Sequence, residues 1–262
     1  MSDYASVRPT DSFDDLLTLM TILRKECPWD RKQTHASLKD LMVEEVYEAI
    51  DAIDRGDFDE LRKELGDMLL HIVFHSEMAS ETAQFTIREV IFTLQEKLIR
   101  RHPHIFGDTK VDGVDQVLKN WETIKLAEGN RKSVLEGVPA SLPGLIRAQR
   151  MQEKAAGVGF DWQTWQPAFE KLEEELREFR EAAETADPAK MSDEFGDVLF
   201  SAVNVGRLMG LDSEDSLRRT NSKFQKRFEF IERRLAEAGK TPGQSTLEEM
   251  DRLWNEAKGY EG

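Results

Sequence analysis

The chain has 262 residues, enough for one large domain or two small ones. With 36 Lys and Arg against 51 Asp and Glu its formal net charge is −15. That argues against duplex DNA, RNA or an anionic membrane as main partner, because each needs a basic surface. The single cysteine, Cys27, excludes an intrachain disulfide and a Cys-rich zinc site. No apolar run reaches membrane-spanning length, and the start MSDYASVRPT does not read as a signal peptide. A cytoplasmic protein is expected.

Residues 1–11 read as a tail. Phe13, Leu16, Leu17, Met20 and Leu23 recur at helical spacing and predict a helix over 12–25, ended at Cys27-Pro28 because proline cannot continue a helix. A second helix is expected at about 36–54. Asp57 with Glu60 reads as a capping box opening a third over 57–82, and Thr86 with Glu89 as another opening a fourth that runs to about Arg101. A last helix of this half is expected at about 114–127. Residues 129–143, with Gly129, Gly137, Pro139 and Pro143, have the composition of a linker. Helices are then expected at 142–156, 165–185, 188–209 and 212–238, with Ser245 and Glu248 capping a terminal one. No segment alternates with period two, so the fold class is all-α without a β-sheet. The expected organisation is two helical bundle domains, 1–128 and 144–262, joined by the linker.

The two halves repeat. Glu44, Glu45 and Glu48 form an EExxE group, as do Glu174, Glu175 and Glu178. Glu64 and Asp67 follow the first group at the same interval as Glu194 and Asp197 follow the second. Asp57 and Asp187 stand at matching places before them. Lys97 and Arg101 match Lys223 and Arg227; Trp121 and Lys125 match Trp254 and Lys258; Trp29-Asp30 resembles Phe160-Asp161. A solvated charge run has no reason to recur in register.

Helical positions three and four apart share a face, so Glu174, Glu175 and Glu178 lie together on one helix. Glu194 and Asp197 share a face on the next, which Asp187 would cap with Pro188 at its first position. Folded back as an antiparallel pair, the helices gather four or five carboxylates. Read alone, EExxE is most often a solvated acidic face. Asp197 shifts that balance, because the apolar run from Val198 to Val205 must be largely buried, and a charge at its mouth is costly unless paired or metal-bound. Hard divalent cations such as Mg²⁺ take oxygen ligands and share them with substrate phosphates. Lys171 and Lys190 lie on the carboxylate faces of the second half, where the first half has Leu41 and Glu60. Because Lys preceding Glu is the weaker orientation for a helical ion pair, both are read as charge for a ligand.

Lys223 and Arg227, one turn apart, can reach a polyphosphate, although such a pair also serves solubility. Trp254 beside Lys258 reads either as core packing or as a stacking residue next to a phosphate-binding one. All five histidines lie in the first half, so an ExxH di-iron bundle is excluded for the second. His71 and His75 read as satisfied core or interface histidines rather than ligands. No GxxxxGK loop is present, so phosphate binding by a P-loop is excluded.

These motifs in this order, doubled and flanked by PWD, RHPHIFGD and VGFDW, resemble the MazG family of all-α nucleoside triphosphate pyrophosphohydrolases, in its long tandem-domain bacterial form, nearly end to end. The resemblance implies a helical bundle that forms a homodimer, Mg²⁺ as cofactor, and hydrolysis of a nucleoside triphosphate to monophosphate and pyrophosphate. It makes Glu175, Glu178, Glu194 and Asp197 metal ligands. One carboxylate, Glu174 or Glu175, is expected to take the proton of the attacking water, and the sequence does not choose between them. Lys223, Arg227, Trp254 and Lys258 would bind substrate, with Lys171 and Lys190 beside them. Glu45, Glu48, Glu64 and Asp67 would form a second metal site. A non-catalytic helical regulatory or adaptor protein that binds Mg²⁺ or a protein partner is the alternative.

Overall fold

The computed structural model describes residues 4, 7–114, 116–117, 120–121, 124 and 133–260. Among these residues there are ten α-helices, two short 3-10 turns and no strand, as an all-α chain requires. Contacts divide the chain into two compact units, Met1–Trp121 and Glu122–Gly262. The helix expected at 114–127 and its Lys125 lie mostly outside the described residues.

In the first unit α1 spans Phe13–Glu26, α2 Lys39–Arg55, α3 Phe58–Glu81, α4 Ile87–Arg101 and α5 Pro103–Phe106. Ser12 caps α1 by accepting from the Asp15 N–H at 3.2 Å. The second helix starts later than the periodicity suggests, because Thr34 and Ser37 exchange side-chain and backbone hydrogen bonds at 2.9 and 3.1 Å and hold the chain in a turn. Only half of the expected box at α3 forms. Asp57 accepts from the Glu60 N–H, but the Glu60 carboxylate turns to Lys63 at 2.5 Å. At α4 the Thr86–Glu89 box is complete.

Met20 of α1, Leu38, and Val73, Phe74 and Met78 of α3 form the buried core of this unit, with Leu16, Leu17 and Leu23 packed against it. Arg24 clamps α1 to the end of α3 through two 2.7 Å bonds to Glu81, and lies over the Phe74 ring at 5.5 Å.

In the second unit α6 spans Gly144–Ala156, α7 Trp165–Thr185, α8 Pro188–Leu208, α9 Ser213–Glu237 and α10 Leu247–Lys258. The described part of the expected linker packs onto α6: Lys154 donates to the carbonyls of Val134 and Glu136 at 3.3 and 3.1 Å. The terminal helix is capped one residue later than expected, by Thr246, which accepts from the Glu249 N–H; Ser245 instead donates to the Glu249 carboxylate at 2.7 Å.

Each unit is organised around a helical hairpin, α2–α3 in one and α7–α8 in the other. Both hairpins turn the same way. Gly56 ends α2 in the left-handed conformation at φ 66° and Asp57 caps α3; Ala186 ends α7 at φ 53° and Asp187 caps α8. The left-handed C-cap followed at once by an N-cap reverses the chain in two residues. Ala52 and Ala182, at matching places before these turns, are completely buried. Their small side chains let the two helices of each hairpin approach closely, which sets the EExxE and ExxD faces opposite each other.

Candidate active site

In the second hairpin α7 carries Lys171, Glu174, Glu175 and Glu178, and α8 carries Lys190, Glu194 and Asp197. One carboxylate oxygen from each of Glu175, Glu194 and Asp197 lies within 4.8 Å of the others. Glu175 is only 5 % exposed. Its partner is Lys171, whose Nζ lies 2.8 Å from Glu175 Oε1 and 2.7 Å from Glu174 Oε1. The lysine that helix-pair orientation assigned to a ligand is thus an intrahelical counterion here. Burial of Glu175 explains the pairing: a desolvated carboxylate gains more from an adjacent ammonium than an exposed one does. The bonds to Glu174 and Glu175 push the Lys171 pKa up, and Lys171 in turn holds the Glu174 carboxyl below its ordinary range. Glu178 moves the other way, raised by desolvation and then by Glu175 and Glu194.

Two members of the triad, Glu175 and Asp197, border a cavity of about 570 Å³, within the usual range for a small-molecule site. Lys171, Glu175 and Asp197 form one side, and Phe160, Trp162 and Phe200 supply aromatic surface. Its polar far end was not legible in the sequence. Arg207 grips Asp161 with bonds of 2.5 and 3.0 Å and also donates to Asn204 at 3.0 and 2.7 Å. Gln152 donates from Nε2 to the Phe200 carbonyl at 2.9 Å, leaving its buried Oε1 without a partner. Asp161 and Arg207 are far apart in the chain, and only the packing of α8 beside the α6–α7 connection brings them together.

The other expected substrate residues stand elsewhere. Lys190 is exposed on the first turn of α8. Lys223, Arg227, Trp254 and Lys258 lie on α9 and α10 and are not among the residues that line the cavity. Arg227 lies over the Trp254 ring at 5.2 Å, Phe224 packs on that ring at 5.2 Å, and Lys258 donates to Asn255 at 3.2 Å. The first unit repeats the arrangement, with Arg101 over Trp121 at 5.6 Å.

The first unit also repeats the triad. Oxygens of Glu45, Glu64 and Asp67 lie within 4.8 Å of one another, and Glu64 is 6 % exposed. Desolvation first, and then Glu48 as neighbour and hydrogen-bond partner, push the Glu64 pKa up to about 7; desolvation and then Asp67 and Glu48 raise Glu45. Leu41 occupies the place of Lys171. His71 and His75, expected to be satisfied core or interface histidines, are satisfied only in part within this chain: His75 Nδ1 lies 2.7 Å from His35 Nδ1. His71 is buried, but its Nδ1 has no hydrogen-bond partner, and neither has Nε2 of His75.

Comparison with known proteins agrees with the doubled geometry. The MazG nucleotide pyrophosphohydrolase domain matches twice, over residues 33–106 and 163–230. The chain belongs to the MazG family. It is a hydrolase of the nucleoside triphosphate pyrophosphohydrolase class. It is 45 % identical over 251 residues to the nucleoside triphosphate pyrophosphohydrolase/pyrophosphatase MazG of Thermotoga maritima, covering 94 % of this chain and 96 % of that one. It is 42 % identical over 259 residues to the nucleoside triphosphate pyrophosphohydrolase of Escherichia coli K12, covering 96 % and 98 %. Similarity to the Bacillus subtilis protein YabN, 45 % over 254 residues, spans 94 % of this chain and 52 % of that protein. Both triads fall within the matched MazG segments, whereas Trp254, Lys258 and the cavity residues Gln152, Phe160, Asp161 and Trp162 fall outside them.

Proposed function

We propose that this protein hydrolyses nucleoside triphosphates to the monophosphate and pyrophosphate, that the cavity of the second unit is where it does so, and that Mg²⁺ is the cofactor. The observation that carries this reading is the convergence of Glu175, Glu194 and Asp197, from two helices, with Glu175 and Asp197 on the wall of a cavity large enough for a nucleotide. The donor set fits the ion: three carboxylates face each other, one of them nearly buried, with a single ammonium among them. Glu175, Glu194 and Asp197 would hold it, with Glu178 beside them. Bound there, Mg²⁺ would neutralise the triphosphate and acidify a water.

The chain's own groups divide the remaining work. Lys171 offsets Glu174 and Glu175 and is the cation nearest the triad on the cavity wall. Of the carboxylates beside the triad, Glu178 is the better proton acceptor, being raised by desolvation and by the like charges of Glu175 and Glu194, whereas Lys171 makes Glu174 a weak base. The aromatic walls suit the flat face of a base, and Asn204 and Arg207 offer polar contacts beyond it.

The reading extends to a cytoplasmic homodimer built of domains 1–128 and 144–262, with Lys190, Lys223, Arg227, Trp254 and Lys258 as nucleotide contacts of the assembled form. Uncovered apolar side chains on the second unit support assembly: Leu217 and Phe224 are 47 % and 57 % exposed. Among the described residues no helix is long and apolar enough to cross a membrane. The test is product identification. Monophosphate and pyrophosphate should appear with Mg²⁺ and vanish with EDTA; diphosphate and phosphate, or no turnover of any nucleoside triphosphate, would refute the assignment.

A further inference from the structure

One buried polar group on the cavity wall has no use within the fold. Gln152 of α6 is 7 % exposed, and its Nε2 donates to the Phe200 carbonyl at 2.9 Å. A carbonyl oxygen only accepts, so that bond fixes which end of the amide is which. Oε1 is the other end, buried and without a hydrogen-bond partner. An acceptor left unpaired in a protein interior costs stability. The hairpin plan does not demand a polar wall here. In the register that pairs Glu64 with Glu194, Asn204 stands where the first unit has Phe74, a member of its core. One repeat fills this place with an apolar ring, and the other keeps it polar beside a cavity.

Asn204 is oriented in the same way as Gln152. Its Oδ1 accepts from Nε and Nη2 of Arg207 at 3.0 and 2.7 Å, which commits the oxygen and leaves the amide NH2 to donate elsewhere. The cavity wall therefore carries a committed acceptor on Gln152 and a committed donor on Asn204, next to the rings of Phe160, Trp162 and Phe200.

We propose that Gln152 Oε1 accepts a hydrogen bond from the exocyclic amino group of the substrate's base, and that with Asn204 it selects nucleotides of adenine and cytosine over those of their keto counterparts. The proposal rests on reading the cavity as the nucleotide site and adds the residue that discriminates within it. An amino base carries its N–H donor beside a ring nitrogen that accepts, so the donor meets Gln152 and the acceptor meets Asn204. A keto base carries the reverse pattern. Its exocyclic oxygen would face Oε1, acceptor against acceptor, and its ring N–H would face the Asn204 NH2. Neither amide can turn round to suit it without losing its bond to Phe200 or Arg207. An exocyclic amine also projects beyond the ring, as an acceptor recessed in the wall requires.

The experiment compares hydrolysis of ATP and ITP by the full-length protein with Mg²⁺; the amino group of one is a carbonyl in the other. kcat/KM should favour ATP by at least about tenfold, because ITP leaves a buried acceptor unpaired. CTP against UTP should follow the same order. Gln152→Met keeps the length of the side chain without its amide, and should bring the ATP to ITP ratio within about twofold of unity by losing more on ATP. A merely structural role would lower both substrates alike. Asn204→Asp replaces the donor by an acceptor and should also lower the ratio, which keeps the proposal testable if Gln152→Met does not fold. A ratio near one in the parent, or one unchanged in both variants, overturns the proposal alone. If neither nucleotide is hydrolysed, the reading of the cavity fails and this proposal fails with it.

Discussion

The two hairpins are built on one plan and equipped differently. Each sets an EExxE helix against an ExxD helix through a left-handed cap and an aspartate N-cap, and each brings three carboxylates together. In the second, Lys171 neutralises the most buried carboxylate, and Glu175 and Asp197 line a cavity. In the first, Leu41 replaces the lysine, Glu48 crowds Glu64, and His71 faces Glu45. The repeat preserves what positions the carboxylates and varies what surrounds them. Placement depends on backbone geometry, which a turn and a small-residue contact dictate; chemistry depends on the few side chains within reach.

The sharpest break of this comparison is functional. Glu194→Gln should cut pyrophosphate release by at least about a thousandfold, since a bound divalent ion contributes several kcal/mol to such a barrier. Glu64→Gln, its counterpart, should retain most of the activity. A comparable loss in both variants would mean that the units act together.

Next in size is the internal counterion. Lys171→Leu, which copies position 41, should destabilise the metal-free protein, because it leaves the buried Glu175 carboxylate without its counterion, with much of the loss restored by Mg²⁺. Urea unfolding with and without the ion measures this.

The first unit should answer to pH instead. In metal-free protein the folded Glu64 carboxyl titrates near 7, against 4.5 for the ordinary group, so between those values the folded state holds a proton that the unfolded state releases. Stability from this group is therefore lost as pH rises from 4.5 to about 7. Thermal unfolding in EDTA should show Glu64→Gln losing less stability than the parent between pH 5 and pH 8; an equal loss would place the titration elsewhere.

The smallest effect concerns the turns. Ala186 holds φ 53° where Gly56 holds 66°. Ala186→Gly should stabilise the second hairpin and Gly56→Ala should weaken the first, each by about 1 kcal/mol, the cost of a Cβ in the left-handed region. Chemical denaturation of both variants tests whether the two turns are equivalent.

Local signals carried much of this in the sequence. The period of Phe13 to Leu23, the Thr86–Glu89 box and the Asp187-Pro188 start depend on residues a few positions apart, and the helices begin and end close to where those signals put them. The register of the two acidic motifs was legible for the same reason, because repetition records spacing. Local signals failed where two groups competed for one partner: Glu60 turned to Lys63, Ser245 to Glu249, and Lys171 to its own helix. A linear reading cannot rank such partners, since the ranking depends on burial.

By itself, then, the sequence determined the helical class, the doubled plan and the acidic motifs whose carboxylates come together, all consequences of periodicity and short-range capping. Only the tertiary structure decided that Asp161 and Arg207 meet across 46 positions, that Arg227 and Trp254 stand off the cavity wall, and that His71 is buried facing Glu45 without a hydrogen bond. Those outcomes depend on desolvation and on contacts between distant helices, and both come into existence only when the chain has folded.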